Sequence, residues 1–132
     1  MVNQPAKLPA GRQPQLRVMP MPSDVNPNGD IFGGWVMSQV DIAGSIAAQL
    51  RTGGAVATVA VNSFLFKQPI SVGDVVSFYA EIVKVGRTSI TLSVEVFAQR
   101  RAHDVLTVKV TEAVLTYVAI DAGGCKREIP AQ

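Results

Sequence analysis

The chain has 132 residues, 48% of them apolar, enough for one compact core and too few for two. Twelve basic residues against ten acidic ones leave a net charge of +2, which argues against a surface built to neutralise a nucleic-acid backbone. One cysteine, Cys125, rules out an intrachain disulfide, and one histidine, His103, leaves too few soft ligands for a zinc site.

Residues 1–15 carry three prolines, a glycine and three glutamines without apolar periodicity, and read as a flexible tail. Nothing there has the apolar core of a signal peptide, and no later run approaches the ~18 apolar residues of a membrane span. The expectation is a cytoplasmic protein without a membrane partner. Residues 16–21 suit a short edge strand, because Pro20 and Pro22 remove backbone donors. Residues 23–30 are dense in turn formers, with Asn28-Gly29 suited to positive φ. From Gly34 to Leu50 the spacing Val36, Val40, Ala43, Ala47, Leu50 predicts a helix, stopped by Gly53-Gly54. Trp35, Met37, Ile42 and Ile46 widen its apolar stripe, as for a helix enclosed by other elements.

Beyond the helix the period changes to two. Residues 56–66 predict a strand apolar on both parities. Val76, Phe78, Ala80 and Ile82 form one alternating strand, and Ile90, Leu92, Val94 and Val96 another, joined at Gly86-Arg87-Thr88. His103 and Asp104 mark a surface turn before a last strand over residues 105–120. One helix cannot cover both faces of a flat sheet, so the order predicts an α+β architecture in which a curved antiparallel sheet of about five strands wraps one long central helix. Such a sheet has open edges, and pairing two copies would close them. The expected layout is a tail over 1–15, a domain over 16–122 and a C-terminal extension over 123–132.

Asp41 falls in the middle of the predicted helix, where a solvated carboxylate is out of place. Bonding to Ser38, Ser45 or a strand would make it structural, whereas a dry cleft would make it a general base or nucleophile. Gly33 and Gly34 open the same helix, where unpaired N–H groups could form an oxyanion hole; the same glycines would also ease a tight loop-to-helix turn. Asp30 is a candidate cap of that helix or its preceding turn.

The run MPSDVNPNGDIFGGWVMSQVD over 21–41 resembles the signature of the YciA-type acyl-CoA thioesterases of the hotdog superfamily. The likeness continues through KQPISVGD over 67–74, VGRTS over 85–89, TEA over 111–113 and YVAID over 117–121, and spans roughly residues 16–130. It implies a hotdog fold, a homodimer as minimum unit, often a trimer of such dimers, and hydrolysis of acyl-CoA thioesters. Coenzyme A would enter as part of the substrate and leave as product, with no separate cofactor and no metal. The resemblance assigns the base or nucleophile to Asp41 and positioning of water or thioester to Asn26. Carbonyl polarisation goes to the amides of Gly33 and Gly34, and the site would straddle two subunits. The alternative is a non-catalytic hotdog module that binds acyl-CoA.

Binding of the coenzyme A phosphates is expected from Arg87, Lys84 and Lys67, with Thr88 and Ser89 as further donors. Arg100-Arg101 and Lys126-Arg127 compete for that role. Asn62, Ser63 and Phe64, with Val61, are expected to line the thioester and acyl channel. Glu112 breaks the apolar parity of the last strand and reads as a buried acid of unknown partner, and Cys125 as a bystander. Relatives carry an acidic residue near the position of Asn62, so acyl-length preference does not transfer. Hotdog dehydratases place a histidine near the start of the helix where this chain has Phe32, which disfavours dehydration.

Overall fold

The computed structural model describes residues 4–100 and 105–132; His103, Asp104 and Arg101 lie outside them. The elements run β1 (Leu16–Val18), a 3-10 turn (Pro22–Asp24), α1 (Gly33–Thr52), β2 (Val56–Phe66), β3 (Val75–Val85), β4 (Ser89–Arg100) and β5 (Leu106–Ala119). The strands form one antiparallel sheet in the order β1-β3-β4-β5-β2, and α1 packs against every strand, so the sheet wraps the helix as expected. Its edges are the three-residue β1 and the eleven-residue β2. Among the described residues no helix is long and apolar enough to cross a membrane.

The alternation of β4 works as read: Ile90, Leu92, Val94 and Val96 are fully buried against the helix side, with Leu115 and Tyr117 beside them on β5. The helix buries Val36, Val40, Ala43, Gly44, Ala47 and Ala48, a narrow face of mostly small residues that lets it approach the sheet closely. The expectation of an enclosed helix fails within one chain: Met37 and Ile42 are exposed, and Leu50 is 77% exposed at the last turn. Gly53 ends the helix in the left-handed region at φ 76° and donates its N–H to the Gln49 carbonyl.

The N-terminal stretch is a correction to the tail reading. Pro5 bridges Val108, Ala6 donates to the Thr107 carbonyl, and Arg12 lies 5.6 Å from the centre of the Tyr79 ring. This covers the outer face of β3, which explains why Ser77 and Tyr79 are buried at positions that read as the exposed parity. The C-terminal extension also folds back: Ile129 donates to the Arg87 carbonyl, and Arg51 to the Pro130 carbonyl.

Candidate active site

Asn26 organises the loop that leads into α1. Its Oδ1 accepts the N–H groups of Asn28 at 2.9 Å and Asp30 at 3.1 Å, its own N–H donates to the Asp30 carbonyl, and Gly29 turns the chain at φ 88°. With the carbonyl oxygen so engaged, the side-chain amide nitrogen has no partner among the described residues. The loop is tied to the β2–β3 connection by the Ile31 N–H on the Ile70 carbonyl, at 2.9 Å. That connection is itself braced, because the Arg100 guanidinium pairs with the buried Asp74 at 3.1 Å and reaches the Pro69 carbonyl. Arg100 is therefore committed to shaping the loop and does not serve phosphate.

The helix begins without a side-chain cap at Phe32, and Asp30 does not take that role. Trp35 and Val36 donate back to the Phe32 carbonyl, whereas the N–H groups of Gly33 and Gly34 have no partner among the described residues. They carry the positive end of a twenty-residue helix. A Cβ on Gly33 would sit 3.1 Å from the Phe66 ring, and one on Gly34 would meet nothing within 4 Å. A side chain at Gly33 would thus crowd the Phe66 ring, whereas Gly34 faces open space. Beside them lies a cavity of about 470 Å³ lined by Asn26, Gly33, Phe66, Gln68, Ile70 and Thr111, among others.

Asp41 lies outside that cavity. It is half-buried, and its Oδ1 accepts a hydrogen bond from Thr58 Oγ1 at 2.7 Å, so a neighbouring strand holds it. Ser45, expected as a partner, donates instead to the Ile42 carbonyl within the helix. The Tyr117 hydroxyl donates to the Asp41 main-chain carbonyl at 2.8 Å. Burial, and then the nearby Asp41 carboxylate, push the Tyr117 pKa far upward, so the phenol stays a neutral donor. Thr58, Tyr117 and Phe66 carried no individual signal in the sequence, since the register that brings Thr58 opposite Tyr117 exists only in the folded sheet.

The remaining predicted residues divide. Phe64 packs on the core and touches Phe66 at 4.8 Å, consistent with a place beside the cavity. Asn62 and Ser63 fall on the outer face of the sheet within one chain. Asn62 accepts a hydrogen bond from Thr116 Oγ1, and Ser63 lines a separate depression with Ser93, Glu95 and Glu112. Ser63 alternates with the core-packed Phe64, and Asn62 sits at the second register shift of β2, between Val61 and Ser63, which breaks the alternation there.

Lys67 pairs with Glu112 at 3.7 Å, and Glu112 also bonds Lys109, which reaches Glu95 at 2.6 Å. Glu112 is therefore a partly exposed member of an ion-pair chain and not a buried orphan. The Lys109 hydrogen bond holds its pKa below the ordinary carboxylate value. Burial works against the Lys109 ammonium, but its bonds to Glu112 and Glu95 outweigh this and raise its pKa.

At the β3–β4 turn, Arg87 is exposed and paired with Glu128 at 3.0 Å, Lys84 is exposed, the Ser89 carbonyl closes the turn by accepting the Gly86 N–H, and the Thr88 carbonyl accepts the Ala119 N–H of β5. Arg127 is spent on structure, donating to the Ile120 and Thr52 carbonyls at the negative end of the helix. Cys125 is a free, exposed thiol in a turn organised by Asp121, and Lys126 is exposed. Among the described residues no group of three or more His, Cys, Asp or Glu is placed to hold a metal ion.

Residues 28–104 match the family described as the thioesterase superfamily, and the chain belongs to it, with the hotdog fold. Within it the chain groups with the YciA-type hydrolases: it is 48% identical over 119 residues to the acyl-CoA thioester hydrolase YciA of Salmonella typhimurium, covering 89% of this chain and 90% of that relative. A hexameric hotdog fold thioesterase of Campylobacter jejuni is 43% identical, with a TM-score of 0.87 over 90% of this chain and 91% of the other. A hexameric broad specificity acyl-coenzyme A thioesterase, solved as an aspartate-to-alanine mutant enzyme, is 49% identical, with a TM-score of 0.87 over 90% and 87% of the two chains.

Proposed function

We infer that the chain is an acyl-CoA thioesterase, releasing a free carboxylic acid and coenzyme A, and that each active site is shared by two copies. The observation that carries this reading is a carboxylate, Asp41, fixed by Thr58 on a helix whose first two N–H groups are left unpaired. Asp41 and Gly33 are eight residues apart on one helix, about 12 Å along its axis, so a single carbonyl cannot touch both within one chain. The eleven-residue edge β2 pairs only with β5, has no strand on its outer side among the described residues, and exposes Val59, Val61 and Leu65, while the helix exposes Met37 and Ile42. A second copy added at that edge covers this surface and brings Asp41 of one chain toward the glycine amides of the other.

In this arrangement Asp41 acts as general base. It takes a proton from water as the water oxygen attacks the thioester carbon, and the Gly33 and Gly34 amides receive the negative charge on the carbonyl oxygen. Collapse breaks the C–S bond, and the proton held by Asp41 goes to the leaving sulfur. Asn26 orients the water or the carbonyl through its free amide. These residues supply every step, so the proposed reaction uses no cofactor and no metal. Arg87 and Lys84 at the β3–β4 turn, with Thr88 and Ser89, are assigned to the phosphates of coenzyme A, Arg87 exchanging Glu128 for phosphate. Lys67 is a secondary candidate, because Glu112 already holds it.

The similar hexameric structures support a trimer of dimers, with a native mass of six 14.0 kDa chains. The same reading puts the protein in the cytoplasm, where an exposed thiol such as Cys125 stays reduced.

The test is free-thiol release from acyl-CoAs of graded chain length, run in ¹⁸O water. Release from at least one member supports the enzyme, and no release from any supports a binding module. In a single turnover the base mechanism puts ¹⁸O into the acid alone. An attack by Asp41 itself, which expels the thiolate and leaves a mixed anhydride that water opens at the aspartyl carbon, would instead leave ¹⁸O in the aspartate and unlabelled acid.

A further inference from the structure

We propose that Tyr117, admitted by Gly44, is a positioning residue that fixes the backbone of α1 at Asp41. The inference rests on the reading that Asp41 activates the hydrolytic water, and deepens it. The face of the helix turned to the sheet is built after Val40 from Ala43, Gly44, Ala47 and Ala48. Residues this small give close approach, but they make few interlocking contacts that would stop the helix sliding or turning on the sheet. A general base displaced by ~1 Å loses much of its effect, so something must fix the position of this segment.

The Tyr117 hydroxyl supplies that fix. It donates to the Asp41 carbonyl at 2.8 Å, and its side chain is fully buried near the C-terminal end of β5. It can reach the helix only because residue 44 lacks a side chain: a Cβ there would lie 2.3 Å from the phenol oxygen and 3.0 Å from the carbon that bears it. In the sheet, Tyr117 is the cross-strand partner of Thr58. Two neighbouring hydroxyls on one row of the sheet therefore grip the same residue, Thr58 by its carboxylate and Tyr117 by its main chain. The burial that keeps the phenol protonated makes it a donor at any pH where the enzyme works.

The experiment measures kcat, KM and thermal midpoint for Tyr117→Phe, Gly44→Ala, the double variant and Asp41→Asn. Tyr117→Phe is expected to lower kcat about tenfold with KM within twofold of wild type. Gly44→Ala is expected to do the same by expelling the hydroxyl, and the double variant to be no worse than the weaker single, since both changes destroy one contact. A tyrosine that merely fills the core would lower the thermal midpoint and leave kcat per folded enzyme unchanged, which overturns the proposal. If Tyr117→Phe does not fold, Gly44→Ala decides: a tenfold fall in kcat at constant KM supports the clamp, and wild-type kcat refutes it. Asp41→Asn separates the two readings. Wild-type turnover in that variant removes the proposed site, whereas an inactive Asp41→Asn beside a fully active Tyr117→Phe removes the clamp alone.

Discussion

Replacing Thr58 with valine keeps the side-chain volume and removes the hydroxyl that donates to the Asp41 carboxylate. The lost contact is a hydroxyl-to-carboxylate hydrogen bond of 2.7 Å. Such charge-assisted bonds are worth about 1.5–3 kcal/mol when shielded. Thr58 lies on the open edge strand and Asp41 is half-buried, so water replaces part of the loss and about 1–2 kcal/mol is the appropriate range here. If that free energy is spent on orienting the base, kcat falls about 5- to 30-fold. The assay is steady-state thiol release at saturating acyl-CoA, repeated in an Asp41→Asn background. There Thr58→Val should cost nothing further, because its partner is already altered. A wild-type kcat in the single variant would refute the claim that Thr58 holds the base. An equally large loss in both backgrounds would show that Thr58 acts elsewhere.

Other outcomes follow from the same structure. Val59→Lys places a charge on the exposed edge of β2, where Val59 is 57% exposed in the single chain. Native mass spectrometry should show smaller species, with activity falling in parallel; an active monomer would contradict the shared site. Lys109→Met removes the cation between Glu95 and Glu112. Because Glu112 is held below its ordinary value near 4.5, its contribution to stability is present above that value and lost as pH falls through the folded pKa. The difference in thermal midpoint between wild type and Lys109→Met should thus be largest near neutrality and shrink as the pH falls below the ordinary glutamate value. A gap independent of pH would mean the ion pairs are not its origin. Glu128→Gln frees Arg87 of its partner and should lower KM for acyl-CoA without changing kcat; an unchanged KM would remove Arg87 from phosphate binding.

Long-period features of the fold were readable from the chain itself. Periodicity located α1, β3 and β4, because burial against one continuous core imposes it, while apolar runs bounded by turn formers and prolines located the other strands. Contacts between one residue and a distant one were not readable. Thr58 meets Asp41 across 17 residues, and the register shift between Val61 and Ser63 turns Asn62 to the outer face, which no pattern in the sequence marked. The N-terminal stretch looked like a tail because its attachment rests on single contacts, the Pro5 bridge, the Ala6 N–H and the Arg12 guanidinium over Tyr79, none of which has a period. Basic residues were the hardest to sort. Arg100, Arg127, Lys67 and Arg87 are equivalent as letters, yet two are tied to carbonyls inside the fold and two to carboxylates on its surface.

The reading stands or falls with Asp41. The decisive measurement is thiol release from the best acyl-CoA substrate by purified Asp41→Asn, checked for wild-type circular dichroism and native mass. The account predicts an unchanged assembly with turnover reduced by a factor of ~100 to 10,000. Turnover equal to the wild type in that intact assembly would contradict it.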